Sequence, residues 1–288
     1  MGLTPPALTV RLRHLEEKLG VHLAVRGARG VTMTDEGRRL LEEAAEILER
    51  IENLPERVAS QSRSMRGNLK VVAPFSFGRA HVGPIVGSLH LHNPELTVLL
   101  TLADDPMSHA ADNDVVIHVG LVKDSSWVAH ILAPNDRMLC ASPEFVRRLP
   151  EKLDHPSQLE NYPCLCLKDI EHMMTRWRFI GGPAKGGFSG RKSFSVRVNG
   201  ALVSNDGSVV TRWAMDSLGI ILRSEWEVAP LIATGALVRL LPQWRLASAP
   251  VMALVPTRKG VSARARGFIE AARAAFAPPP WRQRVRSR

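Results

Sequence analysis

The sequence predicts an α/β protein in which a small head and a long helix precede two lobes of alternating strands and helices. Three observations predict it. Leucines recur at helical spacing on either side of a glycine-bounded turn over the first 54 residues. From about residue 69 onward, short apolar runs alternate with helical segments across short connections, the pattern of a mostly parallel sheet covered on both faces. A stretch rich in glycine and lysine, 162–195, breaks that series in two, so a hinged pair of lobes with a ligand cleft between them is expected.

Taken in order, Thr4 is placed as an N-cap, with Pro5 and Pro6 in a first turn whose N–H groups would be unpaired anyway. Leu8, Leu12, Leu15 and Leu19 form one apolar stripe, and Gly20 ends the helix. Residues 21–33 alternate in character, with Val21, Leu23 and Val25, then Val31 and Met33, about a turn at 27–30; this is a β-hairpin whose tip carries Arg26 and Arg29. A second helix starts at Thr34 and keeps its stripe through Leu40, Leu41, Ala44, Ile47, Leu48, Ile51 and Leu54, where Pro55 kinks it. Such a helix on a small domain needs a partner to cover its stripe, so self-association is expected. The polar stretch 60–68 is a hinge. Strands follow at 69–73, 97–102, 114–119, 193–198, 202–203, 219–222 and 250–255. A loop at 74–78 feeds a helix at 81–92, and further helices lie at 208–218 and 262–276.

Apolar residues at 45 % and charged residues at 23 % describe a folded globular chain and exclude disorder. There is no apolar run of about 18 residues and no basic n-region before an apolar stretch, so neither a membrane span nor a secretory signal is read. Cys140, Cys164 and Cys166 are too few and odd in number for a disulfide framework, which fits a reducing cytoplasm. The net charge of +10 invites a nucleic-acid reading, but residues 257–288 carry +8 of it and end in a basic tail beyond Pro278, Pro279 and Pro280, which reads as a solvated terminus.

Residues 6–37 bring a resemblance into view. Pro6-Ala7-Leu8, Leu15-Glu16, Leu19-Gly20-Val21, Leu23, Arg26, Arg29-Gly30-Val31 and Thr34 with Gly37 resemble the recognition helix and wing of LysR-type transcriptional regulators. Downstream, Gly67 to Val71, Ala73 to Gly78, Asn93-Pro94-Glu95, Cys140 to Pro143, Asn205-Asp206-Gly207, Leu218-Gly219-Ile220 and Gly235 to Val238 resemble that family's effector domain, to about Phe276. The resemblance implies a partial winged helix-turn-helix over 1–37, a linker and dimerisation helix with hinge over 38–66, and a two-lobed effector domain like periplasmic binding proteins over 67–276, with the basic tail at 277–288. Two departures stand out. The family's first two helices do not precede residue 6, which implies either a late start or lost autonomous DNA binding, and Ala24 stands where a bulky aromatic is usual.

In a winged helix-turn-helix the recognition helix enters the major groove and the wing reaches phosphate. The resemblance therefore points to Thr4, Thr9, Arg11 and Arg13 on the helix and to Arg26 and Arg29 on the wing, each of which could equally be a solvated surface group. For the effector it points to Ser76 and Phe77, Val119 and Gly120, Asn205 and Asp206, and Gly219 with the strand behind it. Ser76 and the N–H groups at a helix start suit a carboxylate; the other reading of Ser76 and Asp206 is as plain caps. Trp177 and Phe179 are candidate walls or core.

No catalytic constellation is visible. Ser76 lacks a nucleophile elbow, His90-x-His92 reads as exposed helix, Cys164-x-Cys166 as two half-buried strand thiols, and the glycines at 181–187 lack a phosphate loop's lysine and hydroxyl. The expected protein is a cytoplasmic, effector-controlled regulator, no enzyme, with no cofactor. Its partners are promoter DNA, a small-molecule effector such as a carboxylate, and further copies of itself in a homodimer or homotetramer. The alternative from another class is a DNA-independent ligand-binding or decoy subunit; a secreted solute-binding protein is disfavoured.

Overall fold

A computed structural model describes residues 5–27, 30–52, 65–122, 127–168, 175–181, 193–256 and 261–283. It divides into two compact units, 1–63 and 64–288.

In the first unit, α1 (Pro5–Leu19) leads into an antiparallel hairpin of β1 (Ala24–Gly27) and β2 (Gly30–Met33), followed by α2 (Asp35–Glu52). Gly20 takes a left-handed φ of 71° beyond α1 and donates its N–H to the Glu16 carbonyl at 2.8 Å, a C-cap that a side chain would strain. The Glu16 carboxylate accepts the N–H groups of Leu23 at 2.7 Å and Ala24 at 3.2 Å, stapling the helix to the hairpin. Those two backbone donors hold its carboxyl below the ordinary value. Thr34 caps α2 by accepting the Gly37 N–H at 3.0 Å and donates its own hydroxyl to the His22 carbonyl at 2.7 Å. Gly37 is buried so closely that a Cβ would stand 2.1 Å from the Leu23 carbonyl oxygen. Leu15 and Leu19 are 42 % and 46 % exposed, so the α1 stripe is only partly covered among the described residues. The expected cap Thr4, the kink at Pro55 and most of the 60–68 hinge lie outside those residues.

The second unit holds two lobes. The first is a five-stranded sheet in the order β4-β3-β5-β15-β6, built from β3 (Gly67–Pro74), β4 (Leu96–Ala103), β5 (Val115–Val119), β6 (Trp127–Ala133) and β15 (Val251–Pro256). One face is covered by a helical run, α3 (Phe75–Phe77), a π turn (Gly78–Val82) and α4 (Gly83–His92), together with α8 (Ala263–Ala275). Leu69, Val71, Phe77, Ile117, Phe268 and Ile269 are buried there. The second lobe has the order β11-β8-β12-β7-β13, from β7 (Arg137–Ala141), β8 (Cys164–Leu167), β11 (Gly200–Ser204), β12 (Ile220–Ser224) and β13 (Val238–Arg239). Here α6 (Gly207–Met215) and α7 (Glu225–Ala233) bury Leu165, Val210, Ile221 and Val228 on one face. An antiparallel sheet of β9 (Arg176–Gly181), β10 (Ser193–Arg197) and β14 (Trp244–Leu246), with the short α5 (Pro143–Arg147), buries Phe145, Cys164, Cys166, Trp177, Phe179 and Trp244 on the other.

The chain crosses between lobes at 134–136 and returns at 247–250. Asn135, fully buried, ties the two crossings together. Its Nδ2 donates to the Ala249 carbonyl at 2.7 Å, its own carbonyl accepts the Ala249 N–H at 2.9 Å, and its Oδ1 accepts the Trp226 N–H at 3.2 Å.

Five expectations change. The sheets are mixed rather than mostly parallel: in each, two pairings are parallel and two antiparallel. The crossings explain this. Val251 pairs with Val119 and Arg137 with Ser224, so β15 and β7 enter at the edge where the parallel strands finish and must run back against them. The loop expected at 74–78 is helical from Phe75, because Gly78 is no breaker: it is helical itself, and a Cβ there would meet the Leu102 side chain at 2.3 Å. The Gly83 N–H reaches back to the Gly78 carbonyl, a π turn just before Pro84, which has no N–H to donate. The stretch 162–195 contains β8 and β9 rather than only a break. Cys164 and Cys166 are fully buried, not half-buried. The tail is not solvated at its start, since Trp281 is buried and Arg282 is ion-paired to Asp136 and Glu225.

Two measurements check this packing. In an exposed helix Gly→Ala gains up to about 1 kcal/mol, but Gly37→Ala is expected to destabilise the head by about 1–3 kcal/mol, the cost of overpacking, read as an earlier transition in thermal or urea unfolding. Burial pushes the Cys140 thiol up to about 12 and the Cys166 thiol to about 11, with Cys164 raised further. Folded pKa values above the unfolded value of about 8.5 mean that the native state holds protons the unfolded chain releases, so stability should fall as pH rises from about 8.5 toward 11. Iodoacetamide at pH 8 should label these three thiols only after denaturant is added; fast labelling of the native chain would contradict the buried positions.

Candidate functional site

Two surfaces gather the residues that the sequence singles out. On α1, Thr9, Arg11 and Arg13 are exposed. At 3.6 residues per turn, Thr9 and Arg13 share one face and Arg11 projects from another. Arg13 Nε lies 3.3 Å from Glu17 Oε1, an exposed i,i+4 pair that solvent screens. Arg26 occupies β1 opposite Val31, while Thr4 and Arg29 lie outside the described residues.

The second surface is a cleft of about 220 Å³ between the two lobes. Strand ends and helix starts build it, because the parallel strands of both sheets finish toward the crossings. The first lobe contributes Ser76, Phe77, Asp104, Asp105, His118 and Val119. The second contributes Arg137, Lys168, Trp177, Asn205, Gly207, Arg223 and Trp226. Of the residues expected at the effector site, Ser76, Phe77, Val119 and Asn205 thus line one cavity, with Trp177 in its wall. Phe179 is buried in the core of the second lobe. Gly120 follows Val119 at φ 130° and donates to the Pro250 carbonyl at 3.0 Å. Gly219 packs on β8, where a Cβ would stand 2.5 Å from the Pro163 carbonyl. Neither glycine is part of the lining.

Ser76, expected to suit an effector's carboxylate, is hydrogen-bonded to a carboxylate of the protein's own. Ser76 Oγ donates to Asp206 Oδ1 at 3.1 Å and accepts the Ser208 N–H at 3.2 Å. Asp206 caps α6 by accepting from Ser208 N at 2.8 Å and Ser208 Oγ at 2.6 Å, and its Oδ2 receives Arg79 at 2.8 Å. Asn205 Nδ2 donates to Asp104 Oδ2 at 3.1 Å. These contacts latch the first lobe to the second along one side of the cleft. Partial burial pushes the Asp206 carboxyl up, but hydrogen bonds from Ser208, Arg79 and Ser76 outweigh it and hold the group well below the carboxylate range.

Sequence reading passes over the cations of the cleft. Arg223 runs beneath the start of α6 and is ion-paired with Glu227, its Nε donating to Oε2 at 3.0 Å. Thr211 completes the group by donating to Glu227 Oε1 at 2.7 Å. Position 207 must stay open, since a Cβ there would stand 1.8 Å from the guanidinium. Arg137 and Lys168 add positive charge to the second-lobe lining, and Asp104 and Asp105 line the same cavity from the first lobe. No periodicity marks these residues, because each sits alone at the end of an element. Among the described residues no three His, Cys, Asp or Glu side chains gather as a metal site, and no helix is long and apolar enough to cross a membrane.

Comparison with known proteins adds to this geometry. A family model described as "LysR substrate binding domain" matches residues 62–277, and one described as "Bacterial regulatory helix-turn-helix protein, lysR family" matches residues 1–38. The HTH-type transcriptional activator TtdR of Escherichia coli K12 is 35 % identical over 245 residues, covering 85 % of this chain and 76 % of that one. The HTH-type transcriptional regulator DmlR of the same organism is 33 % identical over 284 residues, covering 96 % and 87 %. Among solved structures, full-length AphB of Vibrio cholerae has a TM-score of 0.60 at 22 % identity, over 94 % of this chain and 89 % of that one. CrgA of Neisseria meningitidis has a TM-score of 0.60 at 19 % identity, over 95 % and 88 %, so both show a shared fold.

Asp206 gives the cleft a pH dependence of stated sign. Its folded pKa lies below the unfolded value of about 3.9, so the latch contributes stability fully present above about pH 4 and lost as pH falls through the folded value. Asp206→Asn should cost about 1 kcal/mol at pH 7, discounted for the exposure of Arg79, and should flatten the acid limb of a stability–pH curve. Gly207→Ala is expected to lower Tm more than Asp206→Asn does, because the buried guanidinium of Arg223 cannot step aside without leaving Glu227.

Proposed function

This chain belongs to the LysR family of transcriptional regulators, and from that premise we propose that it reads promoter DNA through α1 and the hairpin tip and answers to a small carboxylate held between the lobes. It is a DNA-binding regulator with a helix-turn-helix and a substrate-binding domain. The observation that carries the effector reading is the cleft itself: Arg137 and Lys168 bring positive charge to a cavity of about 220 Å³, opposite Ser76, Phe77 and Val119. That volume suits a metabolite of few heavy atoms, and the cations favour an anion on the second-lobe wall, across from Asp104 and Asp105 in the lining of the first lobe. Effector binding changes the balance between lobe arrangements only in so far as one arrangement binds it better.

On the head, Arg11 and Arg13 are the candidates for base or phosphate contacts, and Thr4, Thr9, Arg26 and Arg29 complete the candidate set. Leu41 and Ile47 are 61 % and 55 % exposed on α2, which supports self-association through that helix into a dimer or tetramer. A regulator of this kind works in the cytoplasm, where its DNA is, and carries out no catalysis.

Fluorescence anisotropy with labelled DNA from just upstream of the gene tests the DNA reading. Specific binding should weaken steeply as salt rises, and Arg11→Ala should lose about tenfold or more, the worth of a base contact of about 1–3 kcal/mol. Equal affinity for scrambled DNA at all salt concentrations would sink it. For the cleft, a panel of small mono- and dicarboxylic acids should raise Tm by several degrees at saturation. The gain should disappear in Arg137→Ala and Lys168→Ala; a shift that survives both substitutions places the ligand elsewhere.

A further inference from the structure

The last helix does not end the fold. Beyond α8 the chain turns through three prolines and sets Trp281 and Arg282, in a short helical turn (Pro280–Arg282), against the crossings between the lobes. The two neighbours take partners in different lobes. Trp281 is 6 % exposed and sits among first-lobe rings, with centroids 5.3 Å from His81, 5.6 Å from Phe276 and 6.4 Å from Phe77. Its indole Nε1 donates to the Pro134 carbonyl, on the outgoing crossing, at 3.3 Å. Arg282 takes the second lobe: Nε donates to both Glu225 carboxylate oxygens at 3.0 Å, and a terminal nitrogen reaches Asp136 Oδ2 at 2.9 Å. Glu225 opens α7, and Asp136 directly precedes β7.

These carboxylates are already part of the hinge. The Glu225 N–H donates to the Asp136 carbonyl at 2.7 Å, and Glu225 Oε2 accepts the Asp136 N–H at 3.2 Å. The next residue, Trp226, meets Phe77 edge-on at 5.2 Å, and both line the cleft, one from each lobe. The tail thus touches the back of the cleft wall and the crossing at once, without entering the cleft.

We propose that Trp281 and Arg282 are positioning residues for the effector cleft, a strap seated in both lobes that limits how far they open. A pair of crossings alone allows rotation through a few backbone torsions. A third tie changes this, because adjacent Cα atoms stay about 3.8 Å apart across a trans peptide. Opening must then either carry Trp281 out of its apolar seat or pull Arg282 from Glu225. The second route strips the partner from a carboxylate whose side chain is only 11 % exposed. The proposal rests on the effector reading of the cleft for its meaning, but not for its geometry.

The test measures the distance between lobes in the full chain. Cysteines introduced at the exposed positions Asp112 and Glu160 carry spin labels, the three buried native thiols stay unlabelled, and unlabelled chain is added to remove distances between copies. Pulsed dipolar spectroscopy should give one narrow distance for the parent chain and for Trp281→Phe. Arg282→Ala and Trp281→Ala should add a longer-distance population, and Arg282→Lys, which keeps the charge but loses the fork, should fall between. Glu225→Gln carries the test if Trp281→Ala fails to fold. An unchanged distribution in Arg282→Ala and in Glu225→Gln overturns the strap. Succinate titrated into the same samples separates the two readings: distances that change in the variants while succinate never shifts the parent leave the strap standing and count against the carboxylate class.

Discussion

Asn135 carries a fully buried carboxamide at the point where the chain passes from one lobe to the other, and the rest of the second unit is arranged around its hydrogen bonds. A buried amide left without partners costs more than most single contacts contribute, so the outgoing crossing, the returning crossing at Ala249 and the start of α7 are held to one geometry. The direction of β7 and β15 follows from it, as does the opposition of strand ends that leaves a cleft between the sheets. Glu225 and Asp136 extend the same knot by one residue, and Arg282 closes it from outside.

Much of this was legible in the chain, for identifiable reasons. β3, α6 and α8 announce themselves because Leu69 to Ala73, Val210 with Ala214, and Phe268 with Ile269 and Ala272 keep clear apolar patterns between turn residues. The head was legible through its motif, although the reason for two of its letters emerges only in space: Glu16 staples the hairpin and Gly37 makes room for a carbonyl. The mixed order of the sheets was not legible, since strand direction depends on crossings that no local pattern records. Nor was the early start of the helix after β3, where Pro74 and Gly78 imitate a loop while one precedes the helix and the other packs inside it. The tail misled through its charge, which hid one tryptophan beside four arginines.

The candidate site divides the same way. Ser76 and Asp206 could each be picked out singly, as a residue at a helix start and as a cap. That they would bond to one another across 130 positions could not be read from either neighbourhood. Arg137, Lys168 and Arg223 were invisible because an isolated cation at the end of an element has the same local sequence whether it faces solvent or a cavity. The thiols show the opposite case. An x-spaced pair of cysteines draws attention in a sequence, yet burial between two sheets raises both thiols and disfavours the thiolate that a reactive cysteine needs.

The contact between Ser76 and Asp206 also sets terms for any molecule that enters the cleft. An acid arriving from solution at Ser76 finds that position filled by a carboxylate on the same chain, tethered at an effective concentration on the order of millimolar or above. A ligand with one acidic group exchanges like for like there and gains little from doing so. One that carries a second anionic or polar group can leave Asp206 in place and take its binding energy from the opposite wall, or displace it and be compensated there. Selectivity between simple and two-headed acids can therefore arise from competition with a side chain rather than from the shape of the cavity.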